Sequence, residues 1–294
     1  MTSGAPAKGL IALLRLPYWL MTGGLSVLTA FAISKSMIGL EEIVLIFFSM
    51  AFITSAGFAI NDYFDRESDA VIKPKRPIPS GELSLKQVVA VSGALFVFGL
   101  IMAAYINWLS FTIIAADSAL LLIYSTLVKR KSGFVANVLI GILTGTAFMY
   151  GQATISHPPI VTLISLSLYP IAFGTIGGNV LRDILSVEGD SKVGYPTLPQ
   201  KIGSLKSAKV AAFFFILTAV FAPLPSLPFF AGHFTVYYLP LILLWSALLI
   251  YSSIHLVTSA SSTANVRKYE RIVTMSMILL PLALIIEATL GGLL

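Results

Sequence analysis

Residues 40–81 read LEEIVLIFFSMAFITSAGFAINDYFDRESDAVIKPKRPIPSG: an apolar run that gives way at Asn61 to carboxylates, then to Lys and Arg, then to a Pro- and Gly-containing turn. A helix needs about 20 residues to cross ~30 Å of hydrocarbon, and 40–60 meets that length. Comparable apolar runs lie at about 17–34, 87–106, 109–127, 133–154, 160–181, 208–228, 235–256 and 272–293, making nine. Composition agrees, with 57% of the 294 residues apolar and only 11% charged, against about 25% charged in soluble domains. A soluble globular protein and a disordered chain are both excluded. The expected fold class is all-α, a polytopic membrane protein with about nine transmembrane helices, forming one integral membrane domain over residues 1–294.

There is no Cys, which removes disulfides, thiolate metal sites and Cys nucleophiles. His157, His233 and His255 are too far apart in sequence to suggest a His-based zinc site. The N-terminal segment places Arg15 inside the first apolar run and shows no clear cleavage context, so the first span is expected to be retained. The net charge of +6 reads as topology rather than as a nucleic-acid surface, because eighteen of the nineteen Lys and Arg residues share one face of a nine-span arrangement. Lys35 alone falls on the other face. The positive-inside rule then puts the N-terminus and the charged connections in the cytoplasm and the C-terminus outside.

Acidic residues have no such topological role, yet eight of the 13 crowd two connections, about 61–86 and 182–207. The second reads RDILSVEGDSKVGYPTLPQKIG from Arg182, and like the first it runs from spaced carboxylates through a Lys to prolines and a Gly. An internal duplication of about 120 residues would give two similar helical halves around a central cavity, with their acidic loops facing one another. Asn61, Asp65 and Asp69 are spaced to share one face if the helix continues through them, and Asp183 and Asp190 likewise. Oxygen-only donors suit Mg²⁺ or another hard cation, which completes its shell with water and substrate phosphate oxygens. A metal-bridged diphosphate is the implied ligand, with Arg66, Lys73, Arg76, Lys129 and Lys192 available for its remaining oxygens. Arg15 reads either as an acceptor-phosphate ligand or as a cytoplasmic anchor. One such loop alone could be a solvated face, whereas two echoing loops favour the metal–phosphate reading. Asp117 and Glu287, inside predicted spans, are functional candidates by default.

At these loops the sequence resembles the UbiA superfamily of intramembrane prenyltransferases. The first motif, NDxxDxxxD, matches at Asn61, Asp62, Asp65 and Asp69, and KRPIPSG at 75–81 is similar to the family's next segment. The second matches at Arg182, Asp183, Val187, Gly189, Asp190, Lys192, Gly194 and TLP at 197–199, but carries Ser186 where an Asp is expected. The resemblance implies metal ligation by Asn61, Asp62, Asp65, Asp69, Asp183, Ser186 and Asp190. It further implies that an allylic isoprenyl diphosphate is activated by Mg²⁺ and transferred to an acceptor, with Asp65, Asp69, Asp183 and Asp190 catalytic. Tyr124, in a segment like the family's Tyr-Ser pair, would face the allylic cation, or it would be an interface tyrosine. The second-loop wording looks most like archaeal members that add a geranylgeranyl chain to geranylgeranylglyceryl phosphate in ether-lipid synthesis. The alternative is an aromatic prenyltransferase acting on a quinone precursor such as 4-hydroxybenzoate. Two other classes compete. A CDP-alcohol phosphotransferase would need a DGxxAR-type run that the chain lacks. A secondary transporter would fit the repeat, but would place its carboxylates at mid-membrane.

Overall fold

An apolar run becomes a helix in a membrane because the bilayer leaves backbone N–H and C=O groups no partner but each other. The computed structural model describes residues 5–34, 38–155, 171–192, 194–227, 234–259 and 262–293, and their regular structure is entirely helical. The main helices are α1 (Ala5–Leu14), α2 (Leu25–Ser34), α3 (Leu40–Ile72), α4 (Leu85–Ile106), α5 (Trp108–Ile123), α6 (Gly133–Ile155), α7 (Phe173–Lys192), α8 (Ser204–Phe221), α9 (Leu239–Ser259), α10 (Thr263–Ser276) and α11 (Leu279–Leu290). Widened π-helical turns occupy Leu20–Gly24 and Tyr124–Val128.

Eight helical stretches among the described residues are long and apolar enough to cross a membrane: Ala7–Ser34, Leu40–Ile72, Leu85–Ile106, Trp108–Lys131, Gly133–Ile155, Ser204–Ser226, Leu239–Thr258 and Thr263–Leu290. Each overlaps an expected span, and the protein is integral to the membrane. Of the expected sixth span, 160–181, residues 160–170 lie outside those described, as do Lys35, His157 and His233. The ends differ informatively. Hydropathy predicts that the second span stops at residue 60, but α3 continues to Ile72, because no helix-breaking residue intervenes before Pro74. Polarity ends the apolar run there without ending the helix. The carboxylates of both motifs therefore sit on helices, those of the first on α3 and those of the second on α7, and not in loops.

The chain forms two compact units, Met1–Val27 with Gly39–Val128, and Leu28–Ile38 with Lys129–Leu294. In the first, α3 runs along α4 and α5. Small residues permit the close approach: a Cβ on Gly99 would stand 2.8 Å from the Ile53 side chain and 3.0 Å from the Ser49 carbonyl. Ser92 donates across the same contact to the Ala56 carbonyl at 2.9 Å. In the second, α7 packs on α6, α8 and α10, and a Cβ on Gly177 would lie 3.0 Å from the Ala211 carbonyl. The anticipated echo holds at the turns. Gly81 and Gly203, each shortly before the next long helix, have φ of +76° and +81°, a backbone region that only glycine enters without strain.

Candidate active site

Continuing α3 through the first motif has a direct consequence: Asn61, Asp65 and Asp69 rise along one face in steps of about 6 Å. Asp62, Asp65 and Asp69 are all buried, at 4%, 7% and 5% exposure. Charges this buried require partners. Arg76, on the turn after the helix, donates from Nη1 to Asp62 Oδ1 at 2.8 Å and to Asp69 Oδ2 at 2.5 Å. Arg15 donates from Nη2 to the same Asp62 Oδ1 at 2.6 Å. Asn61 donates to Asp65 Oδ2 at 2.8 Å, and its own Oδ1 is buried without a hydrogen-bond partner.

Arg15 reaches this face through an unusual backbone. It is the one non-glycine residue among those described with positive φ, at 50°, a conformation that costs about 1–3 kcal/mol and persists only where its surroundings enforce it. The enforcement is visible. The Leu14 carbonyl, released where α1 ends, accepts from Ser55 Oγ at 2.7 Å and Trp19 Nε1 at 3.2 Å. Trp19 Nε1 also donates to Ser55 Oγ at 2.6 Å. The Arg15 guanidinium lies 4.3 Å from the centroid of the Phe58 ring, a stacking contact that favours a desolvated cation. Two other expected phosphate ligands lie near the C-terminal end of α3. Arg66 bonds the Tyr63 carbonyl at 3.0 Å and Glu67 at 3.3 Å, both on its own helix. Lys73 is exposed at the end of α3. Tyr124 opens a π-helical turn, a distortion frequent at functional sites, and the adjacent Ser125 is buried with its hydroxyl unpartnered.

In the second unit, Asp183 accepts from Asn137 Nδ2 on α6 at 2.7 Å. Burial, only partly offset by that hydrogen bond and reinforced by Asp190, pushes the Asp183 carboxyl up to about 6. Ser186 donates to Asp190 Oδ2 at 2.5 Å on the exposed side of α7. Seven residues of helix separate the Asp183 and Asp190 backbones by about 10 Å. Arg182 turns away to Asn179 at 3.0 Å and to Glu270 on α10 at 3.5 Å. Lys192 is exposed at the end of α7. Lys129 places its ammonium 4.9 Å from the centre of the Tyr195 ring. Tyr195 belongs to a strap fixed at Gly133, whose N–H donates to the Pro196 carbonyl at 3.0 Å.

The donor set fits a hard cation. Every acidic and amide donor on these faces is oxygen, and one buried amide oxygen lacks a partner. Among the described residues no three His, Asp or Glu side chains surround a single point. Mg²⁺ characteristically takes one or two carboxylates and completes its shell with water and substrate phosphates, so a protein cage is not required.

Sequence reasoning missed Asn137 and Phe58. A polar Asn within the otherwise apolar stretch 133–154 was an available signal, whereas nothing in the sequence marked Phe58. Glu287, a default functional candidate, is structural: fully buried, it accepts from Thr235 N and Thr235 Oγ1, both at 2.7 Å.

Known proteins resemble the chain in sequence and in fold. A digeranylgeranylglyceryl phosphate synthase of Natronomonas pharaonis is 33% identical over 220 residues, covering 75% of this chain and 78% of that protein. A solved structure from work on digeranylgeranylglyceryl phosphate synthase in membranes superposes with a TM-score of 0.81 at 28% identity, covering 96% of this chain and 98% of the other. A UbiA homolog from Archaeoglobus fulgidus bound to DMAPP and Mg²⁺ gives a TM-score of 0.64 at 19% identity, over 94% and 98% of the two chains. The sequence model of the UbiA prenyltransferase family matches residues 22–280, and the chain belongs to that family.

Proposed function

We propose that the protein transfers a geranylgeranyl group from its diphosphate to geranylgeranylglyceryl phosphate, forming an ether-lipid precursor, with Mg²⁺ as the metal. The observation that carries this reading is the pairing of buried carboxylates with two guanidinium groups on one helix face, an arrangement suited to a metal–phosphate complex. Similarity to the Natronomonas synthase and to the Archaeoglobus homolog supports the substrates. Breaking the allylic C–O bond places negative charge on the departing diphosphate, and Arg76 and Arg15 in the first unit are cations that answer it. A bound Mg²⁺ supplies further neutralisation of that leaving group. In the first unit Asn61, Asp65 and Asp69 on α3 offer oxygen donors that would hold such a cation, and in the second Asp183, Ser186 and Asp190 on α7 offer donors of the same chemistry. Tyr124 offers its ring to the electron-poor allylic carbon. The glycerol hydroxyl of the acceptor then forms the new C–O bond as its O–H bond breaks and its proton passes to the departed diphosphate, and the apolar helices keep out the water that would compete with it. We assign the charged face, with both acidic helix ends, to the cytoplasm, and the C-terminus to the outside.

The test is diphosphate release by detergent-purified protein given geranylgeranyl diphosphate, with and without chelator, and with either geranylgeranylglyceryl phosphate or 4-hydroxybenzoate. Chelator-sensitive release stimulated by the glyceryl phosphate supports the reading. Stimulation by the benzoate alone transfers it to the aromatic class.

A further inference from the structure

We infer that Asp62 is a positioning residue for two arginines and not a ligand of the metal. Three observations converge on it. Asp62 is the least exposed of the three aspartates on α3, at 4%. One of its oxygens, Oδ1, accepts from both Arg15, at 2.6 Å, and Arg76, at 2.8 Å. The backbone at Arg15 is held at φ 50°, with the guanidinium against Phe58 and the freed Leu14 carbonyl bonded to Ser55 and Trp19, and the outcome of that arrangement is the contact with Asp62.

The chemistry follows from the fork of the guanidinium. Each arginine commits only part of its donor set here: Arg15 bonds through Nη2 and Arg76 through Nη1. Each side chain is about one-fifth exposed, 21% for Arg15 and 22% for Arg76. The remaining N–H donors of both are left to serve one anion. A carboxylate between two guanidiniums offsets their mutual repulsion and fixes their spacing, so they meet a phosphate group as a preformed pair. A cation seated on Asp62 would have to displace two charged hydrogen bonds first. On the neighbouring stripe of the helix Asp65 accepts from the neutral amide of Asn61, a weaker bond for a cation to displace.

The inference rests on the proposed metal–diphosphate chemistry, and its test separates the two. Mn²⁺, as a spectroscopic stand-in, and inorganic pyrophosphate are titrated separately onto the detergent-solubilised protein and its Asp62→Asn and Asp65→Asn variants. Mn²⁺ is followed by its paramagnetic resonance signal. Asp62→Asn should retain Mn²⁺ affinity within about threefold while weakening pyrophosphate about 10- to 100-fold, the effect of misplacing charged hydrogen bonds. Asp65→Asn should lose Mn²⁺. Arg15→Gln should weaken pyrophosphate as well, and adding Asp62→Asn to it should cost less than Asp62→Asn costs alone, since Asp62 acts through the arginine. Loss of Mn²⁺ in Asp62→Asn equal to that in Asp65→Asn would overturn the inference. So would unchanged pyrophosphate affinity. If Asp62→Asn does not fold, the charge-balanced Arg15→Gln/Asp62→Asn pair replaces it: retained Mn²⁺ binding upholds the assignment and lost binding overturns it. If the unmodified protein binds no Mn²⁺, the metal reading fails, and the pyrophosphate comparison alone decides the role of Asp62.

Discussion

Replacing Arg76 by Met removes the cation shared by Asp62 and Asp69 while keeping most of the side chain's length. Asp62 retains Arg15, so the loss falls chiefly on Asp69, which is 5% exposed and loses the charged hydrogen bond from Nη1. Breaking a buried pair by removing one partner costs about 3–5 kcal/mol, and the partial exposure of Arg76 places this case near the lower end, about 3 kcal/mol. That corresponds to roughly a 100-fold shift in the unfolding equilibrium. A divalent cation near the same carboxylates would restore the missing positive charge. The destabilisation should therefore be large in chelator and shrink substantially in millimolar Mg²⁺, because a ligand bound only by the folded state stabilises it. Detergent-induced unfolding followed by tryptophan fluorescence, with and without Mg²⁺, measures both. An equal loss in the two conditions would refute the idea that Arg76 and the metal both neutralise Asp69.

Four further outcomes are expected. The Asp183 carboxyl, pushed up to about 6 from an ordinary 3.8 by burial, favours its neutral form in the folded metal-free state. Its contribution to metal-free stability is thus present below about pH 4 and lost as pH rises through about 6, whereas Mg²⁺-induced stabilisation should fade as pH drops through about 6; a pH-independent Mg²⁺ effect would contradict this. Asn137→Ala removes the hydrogen bond that lowers the Asp183 pKa, so the midpoint of that Mg²⁺ effect should move to higher pH. Asp65→Ala should abolish turnover with near-normal unfolding, and wild-type rates in this variant would end the metal assignment. Glu287→Ala should destabilise by about 2 kcal/mol, by orphaning the two Thr235 donors, without lowering kcat per folded molecule.

The membrane class, eight of the nine spans and the helical faces of both acidic motifs were legible because each rests on local pattern: run length, charge and helical spacing. The extent of α3 was legible only conditionally. Hydropathy ends at residue 60, and the helix ends where Pro74 forbids it. What the sequence could not yield was pairing across distance. Arg15 stands 47 positions from Asp62, and Asn137 stands 46 from Asp183. Neither spacing has a helical or strand period that would mark it. Arg66, expected as a phosphate ligand from its place beside the motif, bonds Tyr63 and Glu67 of its own helix, contacts that helical spacing does make legible. Glu287 looked functional because intramembrane carboxylates usually are, yet Thr235 satisfies both of its oxygens.

The decisive experiment on the proposed reaction is mass spectrometry of its lipid product. Purified protein is incubated with geranylgeranyl diphosphate, Mg²⁺ and an equimolar mixture of geranylgeranylglyceryl phosphate and 4-hydroxybenzoate. One new species is expected, the acceptor lipid carrying a second geranylgeranyl chain in ether linkage, absent when the metal is chelated. A prenylated benzoate as the sole product, or the diether formed equally well in chelator, would contradict the proposed reaction.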